Sequence, residues 1–385
     1  MKITDIQVFA LSDPAPDPED AGVSELAFVR IVTDEGISGI SEIFAVPVGV
    51  ARAALHGPDS FFGRLLIGED PLPPERLWQR MYGSMMHGAR RGWAIICLGA
   101  ADVALWDIYG KAMQRPVYQL LGGREFASAQ VIEGAPKHEV IPYCTIVSHE
   151  WDSASVLKQQ VEKVSSLLKL GYRAFKVEPM NSTPATIVEL ARRARQEIGP
   201  ERLLAVDVGY LWNDVGVALK VAQQLAELDV FFLETPFPVD SLPAYAKLSA
   251  KTPLRIAAGE HTVTRWEFLD LIDRGGIGVI QPYMTTVGGL SEARRLIDLA
   301  LPRGVLICPG NWSTHVLSAA TVHLAAISPL TPVFEYVAAE IYGSPLRKAL
   351  SEVGFPVVSG AISLPTEPGI GIELPPDLIE HFRVV

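Results

Sequence analysis

Three acidic residues in the second half of the chain, Asp207, Glu234 and Glu260, each follow a short apolar run. The three residues are about 26 positions apart, which suits one strand, one helix and two loops of a (β/α) barrel. Because the carboxyl ends of parallel strands meet at one rim of a barrel, we expect these carboxylates to lie close together. They would repel one another unless a cation lay between them, and oxygen ligands favour a hard ion such as Mg²⁺.

An ordinary alternative exists for each acidic residue. A carboxylate after a strand is often a helix N-cap or a solvated loop charge. That alternative explains a single site well, but it explains three sites in register at successive strand ends less well. The pattern therefore favours a magnesium site.

From residue 140 onward, apolar runs alternate with helical patterns, which indicates βα units in a parallel sheet. The predicted strands lie near 142–147, 173–177, 203–207, 230–234, 255–259, 277–281, 304–308 and 332–336. The predicted helices lie near 154–169, 185–197, 213–227, 241–249, 264–273, 289–301 and 314–326. Eight strands are the number that a closed barrel needs, so we predict a TIM-like α/β barrel over residues 126–345.

Residues 1–125 predict a separate α+β module, because strands at 1–10, 26–34 and 37–43 precede a helical block. The proline- and glycine-rich segment 346–385 carries a strand-like run at 361–364, and we expect it to pack back on this module. A chain of 385 residues exceeds the usual size of one hydrophobic core, which agrees with this division.

The composition excludes several classes of partner. The 33 basic and 44 acidic residues give a net charge of −11, which argues against binding to nucleic acid or to an anionic membrane surface. The longest apolar stretch, residues 94–106, contains Asp102 and is too short to span a bilayer. The N-terminus has no apolar signal core. Cysteines occur only at 97, 144 and 308, inside apolar runs, so we expect a reduced, cytoplasmic protein. The hydrophobic content of 49% predicts a homo-oligomer.

Short motifs run through almost the whole chain. They are RG at 91–92, ADVALWDIYGK at 101–111, LLGG at 120–123, ETP at 234–236, GE at 259–260, QP at 281–282, VGGL at 287–290, PGNWST at 309–314 and PGIG at 368–371. In these motifs the chain resembles the mandelate racemase/muconate lactonizing enzyme family of the enolase superfamily.

The resemblance implies an enolase-type barrel with a capping domain built from the N-terminus and the C-terminal tail. It implies that Asp207, Glu234 and Glu260 bind Mg²⁺, and that a small-molecule carboxylate substrate loses its α-proton through an enediolate. The loops near 12–25 and 44–60 are then expected to cover the site and select the substrate.

The acid/base residues depart from that family. The family's Lys-x-Lys at the second strand is Lys176-Val177-Glu178 here, and its aspartate–histidine dyad on the sixth and seventh strands is replaced by Tyr283 and Gly310. Gly209 stands where an asparagine is common. We therefore do not expect racemisation by the family's familiar route.

Four residues are the catalytic candidates: Lys176, which the family pattern retains, and Glu178, His261 and Tyr283, which are candidates to replace the lost groups. An imidazole after the third ligand suits proton transfer near neutral pH. The three replacements each have a simpler alternative: His261 as a supporting residue, Glu178 as a partner of Lys176, and Tyr283 as a packing residue. His315, Trp312 and Glu335 are the predicted substrate contacts, with His149 a weaker candidate. His315 also suits a core or surface position.

These residues predict a Mg²⁺-dependent lyase that dehydrates an acid sugar, because β-elimination needs only one base and one acid. A cycloisomerase or epimerase acting on a similar acid is the alternative within the enzymes. A degenerate paralogue that binds metal and acid without turnover is the alternative outside them. The chain has no phosphate-binding glycine loop, which argues against phosphoryl transfer.

Overall fold

The computed structural model describes residues 1–13, 25–122, 139–148, 150 and 152–384. Most of the predicted covering loop at 12–25 and the candidate His149 lie outside these described residues.

The first module is an antiparallel sheet packed against helices. Its elements are β1 (Ile3–Leu11), β2 (Leu26–Thr33), β3 (Ser38–Ile43), α1 (Val48–Leu55), α2 (Gly63–Leu66), α3 (Pro74–Ser84), α4 (Trp93–Ala112) and α5 (Val117–Leu120). Gly36, at φ 77°, forms the turn that lets β2 and β3 pair as a hairpin. α1 falls inside the region 44–60, so much of this predicted covering loop is helical.

Helix α4 contains the apolar stretch at 94–106 and extends beyond it at both ends. The helix has 20 residues and is long and apolar enough to cross a membrane by length and composition. However, 83% of its apolar window is buried inside the protein, which is typical of a core helix. Helix α4 carries apolar side chains on nearly all of its faces because neighbouring elements pack around it.

The second module is built around eight parallel strands. Its elements are β4 (Glu139–Val140), β5 (Pro142–Val147), α6 (Ser153–Lys169), β6 (Ala174–Glu178), α7 (Pro184–Ile198), β7 (Leu203–Asp207), α8 (Val215–Glu227), β8 (Phe232–Glu234), α9 (Leu242–Ser249), β9 (Arg255–Ala258), α10 (Thr264–Gly275), β10 (Val279–Ile280), α11 (Leu290–Ala300), β11 (Leu306–Ile307), α12 (His315–Ile327) and β12 (Phe334–Tyr336). A short 3₁₀ turn, Leu301–Arg303, follows α11.

The spatial order of the eight strands is β11-β10-β9-β8-β7-β6-β5-β12. Two backbone hydrogen bonds link the segments at its two edges: Ile307 donates to Leu330 at 2.9 Å, and Glu335 donates to Pro309 at 2.8 Å. The sheet is therefore curled, and it fits a (β/α)8 barrel.

Strands β8 and β11 are shorter than predicted. The Val230 N–H donates to the Leu225 carbonyl, and the Val305 N–H donates to the Ala300 carbonyl. These bonds close the ends of α8 and α11, so the residues before β8 and β11 belong to helix-to-strand turns.

The C-terminal segment contains α13 (Pro345–Glu352), β13 (Ile362–Ser363), α14 (Pro376–Phe382) and β14 (Arg383–Val384). β14 pairs antiparallel with β1, with Ala10 opposite Val384, and β13 pairs with β4. The segment therefore contributes to the first sheet and to the start of the barrel module.

Buried polar contacts join the first module to the barrel. Asp102 of α4 accepts hydrogen bonds from the Ser291 N–H at 2.8 Å and the Ser291 hydroxyl at 2.6 Å. A Cβ on Gly289 would lie 2.4 Å from Asp102 Oδ2, and Gly289 has φ 90°. This close approach explains why the VGGL motif needs glycine at 289.

Candidate active site

The acidic residues lie at neighbouring strand ends. Glu178 ends β6, Asp207 ends β7 and Glu234 ends β8, while Glu260 follows β9 by two residues. Asp207 and Glu234 are directly opposite each other in the parallel register. The repeat of strand and helix therefore brings these carboxylates to one rim of the curled sheet.

A cavity of about 350 Å³ opens at this rim. One part of its lining is charged or polar, and the other part is apolar. The polar lining is Ser148, Lys176, Glu178, Asp207, Tyr210, Glu260, His261, Tyr283 and Glu335. The apolar lining is Phe44, Val147, Met180 and Trp312, with Gly209 between them. Phe44 belongs to the first module, so both modules contribute to the cavity.

Lys176 is the positive centre of the site. Its side chain is 2% exposed, and its Nζ lies 2.9 Å from Glu234, 3.0 Å from Glu335 and 3.2 Å from Asp207. Burial opposes the ammonium charge, but these carboxylates outweigh it and raise the pKa of Lys176 well above its usual range. Lys176 is therefore a cation that holds negative groups, not a free base.

The carboxylates differ in protonation. Burial opposes charge on Asp207, but Lys176, the Gly209 N–H and the Thr235 hydroxyl lower its pKa overall. Burial and the neighbouring Asp207 charge raise the pKa of Glu178 well above its usual range. One carboxylate is thus held as an anion while its neighbour favours the protonated form, which is the usual arrangement of an acid/base pair.

The donor set suits a hard divalent cation in its chemistry. Asp207, Glu234 and Glu260 offer only oxygen atoms, and negative charge exceeds positive charge around them. Within the part of the chain that the structure describes, however, no three acidic, histidine or cysteine side chains form a ready cluster for a metal ion. Here Lys176 bonds Asp207 and Glu234, and the Tyr210 hydroxyl donates to Glu260.

Glu335 anchors the opposite side of the site. Its carboxylate accepts hydrogen bonds from the Tyr283 hydroxyl at 2.9 Å, the Asn311 N–H at 2.8 Å and the Thr145 hydroxyl. The Trp312 N–H donates to the Tyr283 hydroxyl at 3.1 Å. Burial and the Glu335 charge raise the pKa of Tyr283 well above its usual range, so the phenol stays neutral.

His261 lies at the cavity edge. Its side chain is 59% exposed, its Nε2 is 3.6 Å from Glu260, and its ring stacks on Tyr210 at 5.7 Å. Tyr210 has φ 62°, an uncommon conformation for a residue with a side chain. Tyr210 was not identified from the sequence, because nothing local indicates that its hydroxyl reaches Glu260.

His315 and Glu234 do not line the cavity. His315 begins α12, is 2% exposed, and its Nε2 lies 2.8 Å from the Tyr336 hydroxyl. We therefore correct its assignment as a substrate contact: the first turn of α12 directs the ring into the core. Glu234 is buried and pairs with Lys176 at 2.9 Å. Trp312 does line the cavity, where it packs on Tyr342 with ring centroids 5.3 Å apart.

Ser148 is a cavity residue that the sequence did not single out. It follows β5, next to the position opposite Glu178 in the strand register. It is 7% exposed, and its hydroxyl has no hydrogen-bonding partner among the described residues. A buried hydroxyl without a partner is costly, so a polar ligand group is a natural partner for it.

Comparison with known proteins agrees with this architecture. Residues 159–378 match the family described as enolase C-terminal domain-like. Residues 19–122 match the family described as mandelate racemase/muconate lactonizing enzyme, N-terminal domain. The two matches together span most of the chain.

The chain is similar over at least nine-tenths of its length to several named proteins. D-galactarolactone cycloisomerase of Agrobacterium fabrum is 27% identical, covering 100% of this chain and 99% of the relative. Arabinonate dehydratase of Saccharolobus solfataricus is 26% identical, covering 93% and 91%. The crystal structure of 3,6-anhydro-D-galactonate cycloisomerase from Zobellia galactanivorans superposes with a TM-score of 0.84 at 26% identity, covering 100% of both chains.

Proposed function

Because this chain belongs to the mandelate racemase/muconate lactonizing enzyme family of the enolase superfamily, we propose that it dehydrates a hydroxylated carboxylic acid of the acid-sugar class. The observation that carries the proposal is one cavity at the strand ends that holds the Lys176 cation, the carboxyl groups of Glu178, Asp207 and Glu260, and the Tyr283 phenol. The similarity to a protein named arabinonate dehydratase supports the reaction class.

Asp207, Glu234 and Glu260 are the residues that would hold Mg²⁺. When bound, the ion would neutralise negative charge that develops on the substrate carboxylate during loss of the α-proton. Lys176 contributes a second, permanent positive charge at the same rim, since three carboxylates keep it protonated.

Elimination also needs a base and an acid. Glu178 is our candidate base: its carboxyl group lines the cavity beside Asp207, and a divalent cation bound there would favour the carboxylate form that accepts a proton. Tyr283, a neutral phenol held between Glu335 and the Trp312 N–H, is our candidate donor to the departing hydroxyl. His261, exposed at the cavity edge, is a further candidate for either transfer.

Cycloisomerisation of a similar acid is the second candidate. It uses the same base and the same carboxylate contacts, but no hydroxyl leaves. Two of the similar proteins are named cycloisomerases, which is the observation that favours it.

The test is a screen of mono- and diacid sugars, and of their lactones, with the purified protein and Mg²⁺. Formation of a 2-keto acid supports dehydration, whereas ring opening or closure without loss of water supports cycloisomerisation. Glu178→Gln should abolish turnover while leaving Mg²⁺ binding by calorimetry intact. Absence of any product across the panel, with Mg²⁺ bound, would overturn both candidates.

A further inference from the structure

Glu42 is a buried acidic residue of β3, in the first module, that contacts the barrel. Its side chain is 1% exposed. It accepts hydrogen bonds from the hydroxyls of Ser313 and Thr314 and from the Thr314 N–H at 3.3 Å. These contacts join residues about 270 positions apart in the sequence.

The segment that Glu42 holds also carries active-site groups. Residues 310–314 follow β11 and include Trp312, which lines the cavity. In the same segment the Trp312 N–H donates to the Tyr283 hydroxyl, and the Asn311 N–H donates to Glu335. A shift of this segment would therefore move the donor that orients Tyr283.

Two further contacts hold the 310–314 segment and the Tyr283 ring. The Nη1 of Arg347, in α13, donates to the Ser313 carbonyl at 2.7 Å, so the C-terminal segment holds this loop as well. Phe44, two residues after Glu42, packs on the Tyr283 ring with centroids 4.9 Å apart. The end of β3 thus contacts Tyr283 directly through Phe44 and indirectly through the loop that Glu42 holds.

We propose that Glu42 is a positioning residue, which fixes the 310–314 segment so that the Trp312 N–H keeps the Tyr283 hydroxyl directed at Glu335 and the cavity. The consequence for catalysis rests on the proposed function, in which Tyr283 donates a proton. The structural part, that Glu42 orders this loop, does not depend on any activity.

The experiment compares Glu42→Gln with Asp102→Asn by hydrogen exchange and mass spectrometry. Asp102 is a matched control, since it is also a buried carboxylate of the first module that accepts a barrel serine hydroxyl and N–H, but it contacts the start of α11. We expect amides of residues 310–316 to exchange about tenfold faster in Glu42→Gln, and to be unchanged in Asp102→Asn.

Equal exchange of this segment in Glu42→Gln and wild type would overturn the proposal. If Glu42→Gln does not fold, Ser313→Ala removes one donor to the same carboxylate and should show a smaller increase at the same peptide. Unchanged exchange in Ser313→Ala would then overturn it.

Kinetics test the consequence for catalysis. Glu42→Gln should lower kcat about tenfold with KM nearly unchanged, and it should add no further loss in a Tyr283→Phe background. Additive losses would mean that Glu42 does not act through Tyr283. If exchange changes as expected but no acid sugar is turned over, the proposed function fails while the positioning role stands.

Discussion

The ring of Tyr283 occupies the volume that any side chain at position 310 would need. A Cβ on Gly310 would lie 2.0 Å from Cε2 and 2.5 Å from Cδ2 of Tyr283. Real Cβ contacts are not this short, so the tyrosine and the glycine are a complementary pair. Tyr283 and Gly310 replace the two members of the family's aspartate–histidine dyad, and each replacement depends on the other.

We predict that Gly310→Ala destabilises the protein by about 1–3 kcal/mol, because it overpacks the Tyr283 ring. In a Tyr283→Ala background the same substitution should cost less than about 0.5 kcal/mol, since the obstructing ring is gone. Urea unfolding of the four proteins measures this coupling. An equal cost in both backgrounds would show that the two positions are independent.

Ser148→Ala should separate binding from stability. The hydroxyl is buried and has no partner among the described residues, so its loss should not lower the free energy of unfolding. If the hydroxyl binds a substrate group, KM should rise about tenfold. The control is Ser291→Ala, which removes a hydroxyl bonded to Asp102 and should destabilise the fold. An unchanged KM for Ser148→Ala would exclude the serine from substrate binding.

Lys176→Met should be among the most destabilising single substitutions in the barrel. It leaves buried carboxylates of Asp207, Glu234 and Glu335 without their cation, which typically costs about 3–5 kcal/mol. Calorimetric melting at neutral pH measures the loss, with the exposed Lys220→Met as control. Added Mg²⁺ should raise the Tm of the Lys176→Met variant, because an ion bound only by the folded state stabilises it. A melting temperature within a degree or two of wild type would contradict the role of Lys176.

His323 should make the fold acid-sensitive. Burial lowers the pKa of His323 from 6.5 to about 4, and its Nδ1 accepts the Tyr118 N–H at 3.1 Å. The unfolded chain binds the proton more readily than the folded protein does. Neutral His323 therefore makes its full contribution to the free energy of unfolding above pH 6.5, and this contribution is lost as pH falls toward 4. The full loss is on the order of 3 kcal/mol.

The measurement is urea unfolding of wild type and His323→Gln at pH 7.5, 6 and 5. Other groups titrate in this range, including Asp102, whose pKa burial raises to about 7. The difference in the free energy of unfolding between wild type and His323→Gln isolates the contribution of the histidine. This difference should become smaller as pH falls. A constant difference across this range would contradict the assignment.

Repeating local patterns made the strand ends predictable. Asp207, Glu234 and Glu260 each follow a short buried run, and the period of strand plus helix places them at one rim whatever the detailed packing. The eight-stranded parallel sheet follows from the same alternation.

Contacts between distant segments were not predictable in this way. Nothing near Glu42 in the sequence indicates Ser313 as its partner, and nothing near Tyr210 indicates Glu260. The orientation of His315 depends on how α12 is rotated against its neighbours, which spacing alone does not determine. Such contacts arise from tertiary packing, which local sequence patterns do not encode.

The pairing of β14 with β1 has a consequence for biosynthesis. Ala10 leaves the ribosome long before Val384, its opposite residue, has been translated. Until then one edge of the first sheet exposes unpaired backbone groups at that position, where another strand can add.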